Sequence, residues 1–322
     1  MSSYNKTLLN RFKIYNKLNK LISKNINDGY DKCLIHSQNR DEYLYSYNNN
    51  LFIIKQIGNK SSDASIYLSL IITKSQTYYF IAKIQLFLDF KEMLFLQQVS
   101  NYARKYKNIH LPLFYNYLKC DRFNKFDLLL PNNININKKL NNYNYKNKYS
   151  TSYYSIFAEL ADGDINTYLK NTSITSKKLY NVIAQCFMAI ISIHNNGIYH
   201  RDTHTGNFLY HIIEPNGCIK YKYKDLIFYI ENIGYNWVIW DFGRSVEISQ
   251  SNYNKIYDDF ISLIESLLED NKKTTFYNEL NELYYIIDKY KNDYLIIKNI
   301  FEKNKLFSKE PIGKIITTVI LK

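Results

Sequence analysis

Three short stretches carry side chains that could do chemistry together. Tyr199-His200-Arg201-Asp202-Thr203-His204-Thr205-Gly206-Asn207 sets a carboxylate and an amide oxygen five positions apart. Both can point into one site only if the loop between them folds back, and a glycine among the four intervening residues, Gly206, suits such a turn. Trp237-Val238-Ile239-Trp240-Asp241-Phe242-Gly243 reads as a buried apolar strand that delivers a second carboxylate. Tyr79-Phe80-Ile81-Ala82-Lys83-Ile84 reads as a strand that presents one ammonium. Carboxylate and amide oxygens are hard donors for a divalent cation, and a carboxylate can also take a proton.

The three stretches have the forms H-R-D-x-x-x-x-N, D-F-G and V-A-I-K. On these residues the chain resembles the eukaryotic-type protein kinase superfamily, over roughly positions 50–265. Its Tyr/Ile/Asn/Lys-heavy wording is similar to the divergent serine/threonine kinases of giant (nucleocytoplasmic large) DNA viruses. The resemblance implies ATP as donor and Mg²⁺ or Mn²⁺ as cofactor. It gives Asp202 the role of catalytic base, Asn207 and Asp241 the metal, and Lys83 the phosphates, with Glu92 as the partner of Lys83. Ile57, Gly58 and Ile66 would cover the nucleotide, backbone groups of Glu159 and Leu160 would bond the adenine, and Asp164 would reach the ribose.

The fold implied is α+β: a bilobal kinase-like fold with a small antiparallel-sheet N-lobe and a mainly helical C-lobe. Its parts are a basic N-terminal extension over 1–45, an N-lobe over 46–158 and a C-lobe over 159–322. Two insertions are expected, an Asn-rich one at about 131–149 and a probable-hairpin pattern at about 212–236 that contains Lys220-Tyr221-Lys222-Tyr223-Lys224.

The elements that must position these residues are legible in outline. Leu8, Phe12, Tyr15, Leu18 and Ile22 recur at helical spacing in a segment with six Lys/Arg and no acid before Asp28, an amphipathic helix expected to pack on the catalytic domain. Asp89–Val99 is expected as a helix with Met93, Leu96 and Val99 on its apolar stripe. Strands are expected at Leu51–Ile57, Leu111–Tyr115, Phe126–Leu130 and Tyr153–Leu160. A long amphipathic helix from Thr175 to Ile193, with Leu179, Ile183, Phe187 and Ile190 on one face and Gly197 as its stop, would deliver the chain to His200. His194 is expected to be structural.

Four departures from the family pattern stand out. Only the first glycine of the phosphate-covering loop is present, at Gly58, and nine positions separate Lys83 from Glu92, fewer than usual. Beyond Gly243 the only proline is Pro311, so no A-P-E closes the activation segment. That segment is short, because Asp259 (or its neighbour Asp258) is the expected anchor of the catalytic loop. His204 stands where serine/threonine kinases carry a lysine, and D-x-H-x-G-N is similar to the loops of choline- and aminoglycoside-type kinases.

Composition bounds the reading. A chain of 322 residues with 46% apolar content can build a real core. The net charge of +13 comes without a compact Arg/Lys block or zinc-finger spacing, so no specific nucleic-acid partner is expected. The four cysteines, Cys33, Cys120, Cys186 and Cys218, are scattered and read as free thiols. No apolar run is long enough to span a bilayer, and a soluble intracellular protein is expected, in the host cytoplasm or packaged in a virion if viral. The leading expectation is a kinase acting on Ser/Thr hydroxyls of proteins. The alternatives are a small-molecule kinase and a pseudokinase scaffold, the last suggested by the degraded glycine loop.

Overall fold

The structure is a computed structural model that describes residues 8–27, 35–36, 45–46, 50–57, 64–86, 91–120, 153–270, 276–303 and 306–321. Gly58 and the rest of its loop, the expected strand at 126–130 and the insertion at 131–149 lie outside the described residues. The chain divides into two compact units. One holds Lys13–Phe90 and Leu113–Leu160; the other holds Met1–Phe12, Lys91–Pro112 and Ala161–Lys322.

The first unit is built on a seven-stranded, wholly antiparallel sheet. Its strands are β1 (Ile35–His36), β2 (Tyr45–Ser46), β3 (Leu51–Ile57), β4 (Ala64–Ile72), β5 (Thr77–Leu86), β6 (Phe114–Cys120) and β7 (Tyr153–Ala158). They run in the order β1-β2-β3-β4-β5-β7-β6. β-branched and aromatic residues dominate these strands, and Phe80 and Phe157 meet edge to face at their centre. The helix α1 (Asn10–Asn27) starts in the other unit and continues here. Here Tyr15 stacks on Tyr115 and Ser23 accepts a hydrogen bond from Asn116. All five residues of its expected stripe are buried, with Ile22 fully so. The amphipathic pattern is thus spent on packing.

The second unit is mainly helical. It contains α2 (Lys91–Tyr106), α3 (Ile165–Asn171), α4 (Ser176–His194), α5 (Asp258–Asp270), α6 (Tyr277–Tyr290) and α7 (Asp293–Lys303). Thr175 caps α4 by accepting from the Lys178 N–H, and Gly197, at φ 73°, follows its end. The sequence suggests one apolar face for α4, but its residues from Asn181 to His194 are buried all round. The reason is that β13 (Tyr235–Ile239) packs on one side and α5 on another. Gln185 donates to the Tyr235 carbonyl and accepts from the Trp237 N–H, satisfying its amide inside that core.

Short sheets complete this unit. β10 (Phe208–Ile212) lies between β13 and β8 (Gly163–Asp164). The residues expected as an insertion form a hairpin, β11 (Cys218–Tyr223) and β12 (Leu226–Glu231). The sequence reading took everything after the anchor helix as helical. Instead the chain returns as β15 (Ile315–Leu321) and pairs parallel with β11. Ile-Ile-Thr-Thr-Val-Ile-Leu is a β-branched run with no helical period, so the strand signal was present in the residues.

A buried guanidinium and a buried neutral imidazole lie near the start of this unit. Arg11 donates to the carbonyls of Ile109 and Leu111, on either side of His110. His110 is buried, with Nδ1 on the Trp237 carbonyl and Nε2 on the Tyr221 hydroxyl. Burial, followed by the nearby guanidinium, lowers its pKa to about 4 despite the bond to Trp237, so the ring is neutral.

Gly217 is the residue that admits β15. It sits at φ 62°, and a Cβ there would overlap the Lys314 carbonyl oxygen, which accepts from the Cys218 N–H. Gly217→Ala therefore combines left-handed strain with a backbone clash. A loss of about 2 kcal/mol or more is expected in urea unfolding, against a near-neutral change for an alanine on an exposed helix position.

Candidate active site

The catalytic-loop residues are held by one carboxylate. β9 (Ile198–Tyr199) leads into Arg201, whose φ of 67° lies in the left-handed region that non-glycine residues avoid. Such strain persists only where neighbours over-determine it. Here Asp259, in the first turn of α5, accepts the His200 N–H on one oxygen and the Arg201 N–H on the other, both at 2.8 Å. The Thr203 hydroxyl donates to the Asp259 carbonyl, tying the loop to the same residue again. Asp259 is the better-placed of the two anchors read from the sequence; Asp258 instead accepts from the Tyr199 hydroxyl at 3.2 Å.

Asp202 and Asn207 converge as their spacing suggests. The Asn207 amide donates to the Asp202 carbonyl at 2.8 Å and lies 3.3 Å from its carboxylate, which turns the amide oxygen the other way. The role of Gly206 differs from the expected one. It needs no unusual backbone angle; a Cβ there would meet His204 Cε1 at 2.9 Å. His204 folds over the loop so that its Nδ1 accepts from the Gly206 N–H, which leaves Nε2 about 4.0 Å from Asp202.

The second carboxylate is delivered alongside. Trp240, just after β13, donates its N–H to the Asn207 carbonyl at 2.8 Å and accepts from His200 Nε2 at 3.0 Å. Its backbone thus joins both ends of the catalytic loop to the residue before Asp241. Asp241 has φ 64° and is the second strained non-glycine residue at this place; its carboxylate faces the Gly243 N–H at 3.4 Å. Phe242 is buried with its ring 5.2 Å from that of His200. Glu92, buried in the first turn of α2, also reaches this turn: a Cβ on Gly243 would lie 3.7 Å from its carboxylate. That is ordinary contact, so Gly243 has room that Gly206 lacks.

The sheet unit holds the other expected residues. Ile57 pairs with Ile66, Ile66 with Lys83, and Lys83 with Ile156 across β3, β4, β5 and β7. Directly opposed residues share a sheet face, so three of the expected nucleotide contacts form one row. Lys83 is buried among them. The Glu159 N–H donates to the Leu113 carbonyl, while its carboxylate accepts the Leu113 N–H. That N–H is therefore engaged by the sheet. Glu92 and Lys83 fall in different units. Asp164 caps α3 by accepting from the Thr167 N–H at 2.7 Å.

Arg244, the acid partners of His194 and a neighbouring cleft were not read from the sequence. Arg244, directly after Gly243, places Nη1 3.4 Å from Asp202. His194 bridges two acids, with Nε2 on Asp259 at 3.0 Å and Nδ1 on Asp293 at 2.7 Å. Burial alone would depress this ring, but the Asp293 carboxylate, together with the hydrogen bonds to both acids, outweighs it and raises its pKa to about 10. His200 is pushed the other way: burial dominates and keeps it neutral. Finally, a cleft of about 580 Å³ borders the loop, lined by His204, Thr205, Asn166, Lys170, Ser266 and Glu269.

No family model matches the chain. Among solved structures, the BubR1 kinase domain is 14% identical with a TM-score of 0.41, covering 77% of this chain and 62% of that one. Among curated proteins, one from Acanthamoeba polyphaga mimivirus named "Putative serine/threonine-protein kinase R301" is 32% identical over 123 residues. The match spans 37% of this chain and 30% of that relative. Over those 123 residues the chain is similar to a protein-kinase-like relative. Its architecture is α+β, with an antiparallel-sheet unit and a mainly helical unit. Among the described residues no helix is long and apolar enough to cross a membrane.

The histidines make the mainly helical unit sensitive to pH in two directions. A folded pKa raised to about 10 means that the His194 contribution is complete below about pH 6.5 and is lost as pH rises toward 10. The lowered His110 acts oppositely, its contribution being complete above about pH 6.5 and lost as pH falls toward 4. In a histidine-selective NMR titration, His194 is expected to stay imidazolium through pH 9 and His110 to stay neutral at pH 5. A His194 ring that titrates near pH 6.5 would refute the acid–imidazolium–acid assignment.

Proposed function

We propose that this chain is an ATP-dependent phosphotransferase acting on Ser/Thr hydroxyls of proteins. The observation that carries the proposal is the joining of two loops: Asn207 bonds back to Asp202, and the Trp240 backbone ties the residue before Asp241 to both His200 and Asn207. Two carboxylates and an amide oxygen are thereby gathered by two segments, the loop 200–207 and the turn at Asp241. The mimivirus relative's name points the same way at the level of the family.

In this reading Asp202 orients the acceptor hydroxyl and takes its proton as the phosphoryl group moves. Asn207 and Asp241 would hold Mg²⁺ or Mn²⁺. Their donor set fits, since Mg²⁺ is commonly bound by one or two carboxylates together with substrate phosphates. Bound there, the ion supplies positive charge to the phosphate oxygens. Lys83 would hold the phosphates, with Glu92 fixing its ammonium, and Ile57 and Ile66 would cover the base. Backbone groups of Glu159 and Leu160 would bond the adenine, and Asp164 would reach the ribose. Arg244 would steady the Asp202 carboxylate from the solvent side. Most of the acceleration would come from positioning and charge, which explains why so few polar residues suffice.

A second reading is favoured by specific observations. Residues 244–258 are folded locally, with β14 (Val246–Glu247) paired to β9 and a turn in which the Asn252 carboxamide oxygen accepts from the Ser249 N–H. They run straight into α5 without a peptide platform, and the cleft beside His204 has room for a small acceptor. A hydroxylated metabolite is the acceptor in that case.

Purified protein with labelled ATP, Mg²⁺, mixed protein substrates and a metabolite panel distinguishes the acceptors, with phosphoamino-acid analysis of labelled protein. Asp202→Asn should lower kcat about 10²–10⁴-fold with little change in the KM for ATP. Asp241→Asn should abolish metal-dependent transfer. Full activity in Asp241→Asn would sink the assignment, and nucleotide binding without turnover on any acceptor would point to a scaffold.

A further inference from the structure

The three-stranded sheet of β12, β11 and β15 has one covered edge and one open edge. On the β12 side, Tyr229 and Ser308 exchange both backbone hydrogen bonds. On the β15 side, no described residue pairs with the outer edge. Exposed edges are usually blunted by charge, proline or short length. β15 has seven residues, Ile315 to Leu321, none of them charged or proline. Its register irregularity lies at the start, so Thr317–Leu321 form a regular ladder with β11.

The outer face beside that edge is both apolar and basic. Lys220 stands opposite Thr318, and Lys222 stands between Ile227 and Ile320. Ile227 and Ile320 are 47% and 53% exposed. Glu231, on β12, is already matched by Lys177 at 2.6 Å. Lys314 precedes β15, and the whole chain carries +13. The surplus charge on this face is therefore positive.

We propose that the outer edge of β15 receives an extended acidic segment of a partner protein as an added strand. Backbone groups of β15 supply the pairing, and the lysines select the charge. A strand added there lies two strand spacings, about 9.6 Å, from β11. Thr318 is small, so a Glu on the added strand can reach over it to Lys220. Side chains on the other face would rest beside Val319 and Leu321, so the fitting pattern alternates acidic with apolar residues. A second copy of the chain is the less suitable occupant. It brings the same lysines, and one seven-residue seam falls short of the roughly 1,200 Å² that stable interfaces bury. The inference is independent of catalysis.

The probe is a labelled peptide Val-Glu-Val-Glu-Val-Glu-Val, with Val-Lys-Val-Lys-Val-Lys-Val as control. The acidic peptide should bind at least tenfold more tightly, weaken as salt rises, and slow hydrogen exchange at alternate amides of 316–320. Lys220→Glu/Lys222→Glu should lose at least tenfold in affinity with an unchanged melting temperature, and Lys222→Ala, at an exposed site, should lose a smaller part. Equal binding of the two peptides, protection confined to regions outside β15, or an edge already protected by self-association would each overturn the proposal.

Discussion

A carboxylate that is buried must be fully hydrogen-bonded or neutralised, and Asp259 is both. It is 1% exposed, sits at the favourable end of α5, and accepts from two backbone N–H groups and one imidazolium. Breaking such a set by removing one partner costs about 3–5 kcal/mol, because a buried charge is left behind. That penalty stabilises the left-handed turn at Arg201, which would otherwise be disfavoured by about 1–3 kcal/mol. Asp202 is the next residue, so its position follows from a bond it does not itself make.

The same logic extends outward from the anchor. His194 lends its charge to Asp259 and shares it with Asp293, at the start of α7. Asp293 gains from the positive end of that helix, so the surplus negative charge of the two-acid, one-cation group is distributed over two helix N-termini and the loop amides. The end of α4, the catalytic loop, α5 and α7 are thus joined through one imidazole. His200 contributes by the opposite device: it is neutral, and its Nε2 proton serves the Trp240 carbonyl.

Much of the site was legible in the sequence, and the limits of that reading have physical causes. Asp202, Asn207 and Asp241 could be found because their spacing is a property of one loop and one strand end. Ile57, Ile66 and Lys83 were named through the resemblance alone; their standing in one cross-strand row is set by the register of β3, β4 and β5, which no single strand's residues announce. His194 was read as structural, which its burial supports, but its partners lie 65 and 99 positions away and no local pattern announces them. Arg244 escaped notice for the opposite reason: it adjoins the motif, yet an exposed arginine looks the same whether or not it meets a carboxylate. Gly206 was read as a residue that supplies unusual backbone angles, but its φ is ordinary and what stands close to it is the His204 ring, whose rotamer the sequence does not announce. β15 was missed because its partner, β11, lies within residues read as an insertion.

The anchor also accounts for why a shortened activation segment is compatible with an ordered site. Shorter loops cost less entropy to close. Here residues 244–258 begin at the turn after Asp241 and end at Asp259, the residue that fixes the catalytic loop. Both ends of the segment are therefore held by the site itself, and β14 pairs with β9 on the way. Lengthening the segment would add closure entropy without adding an anchor.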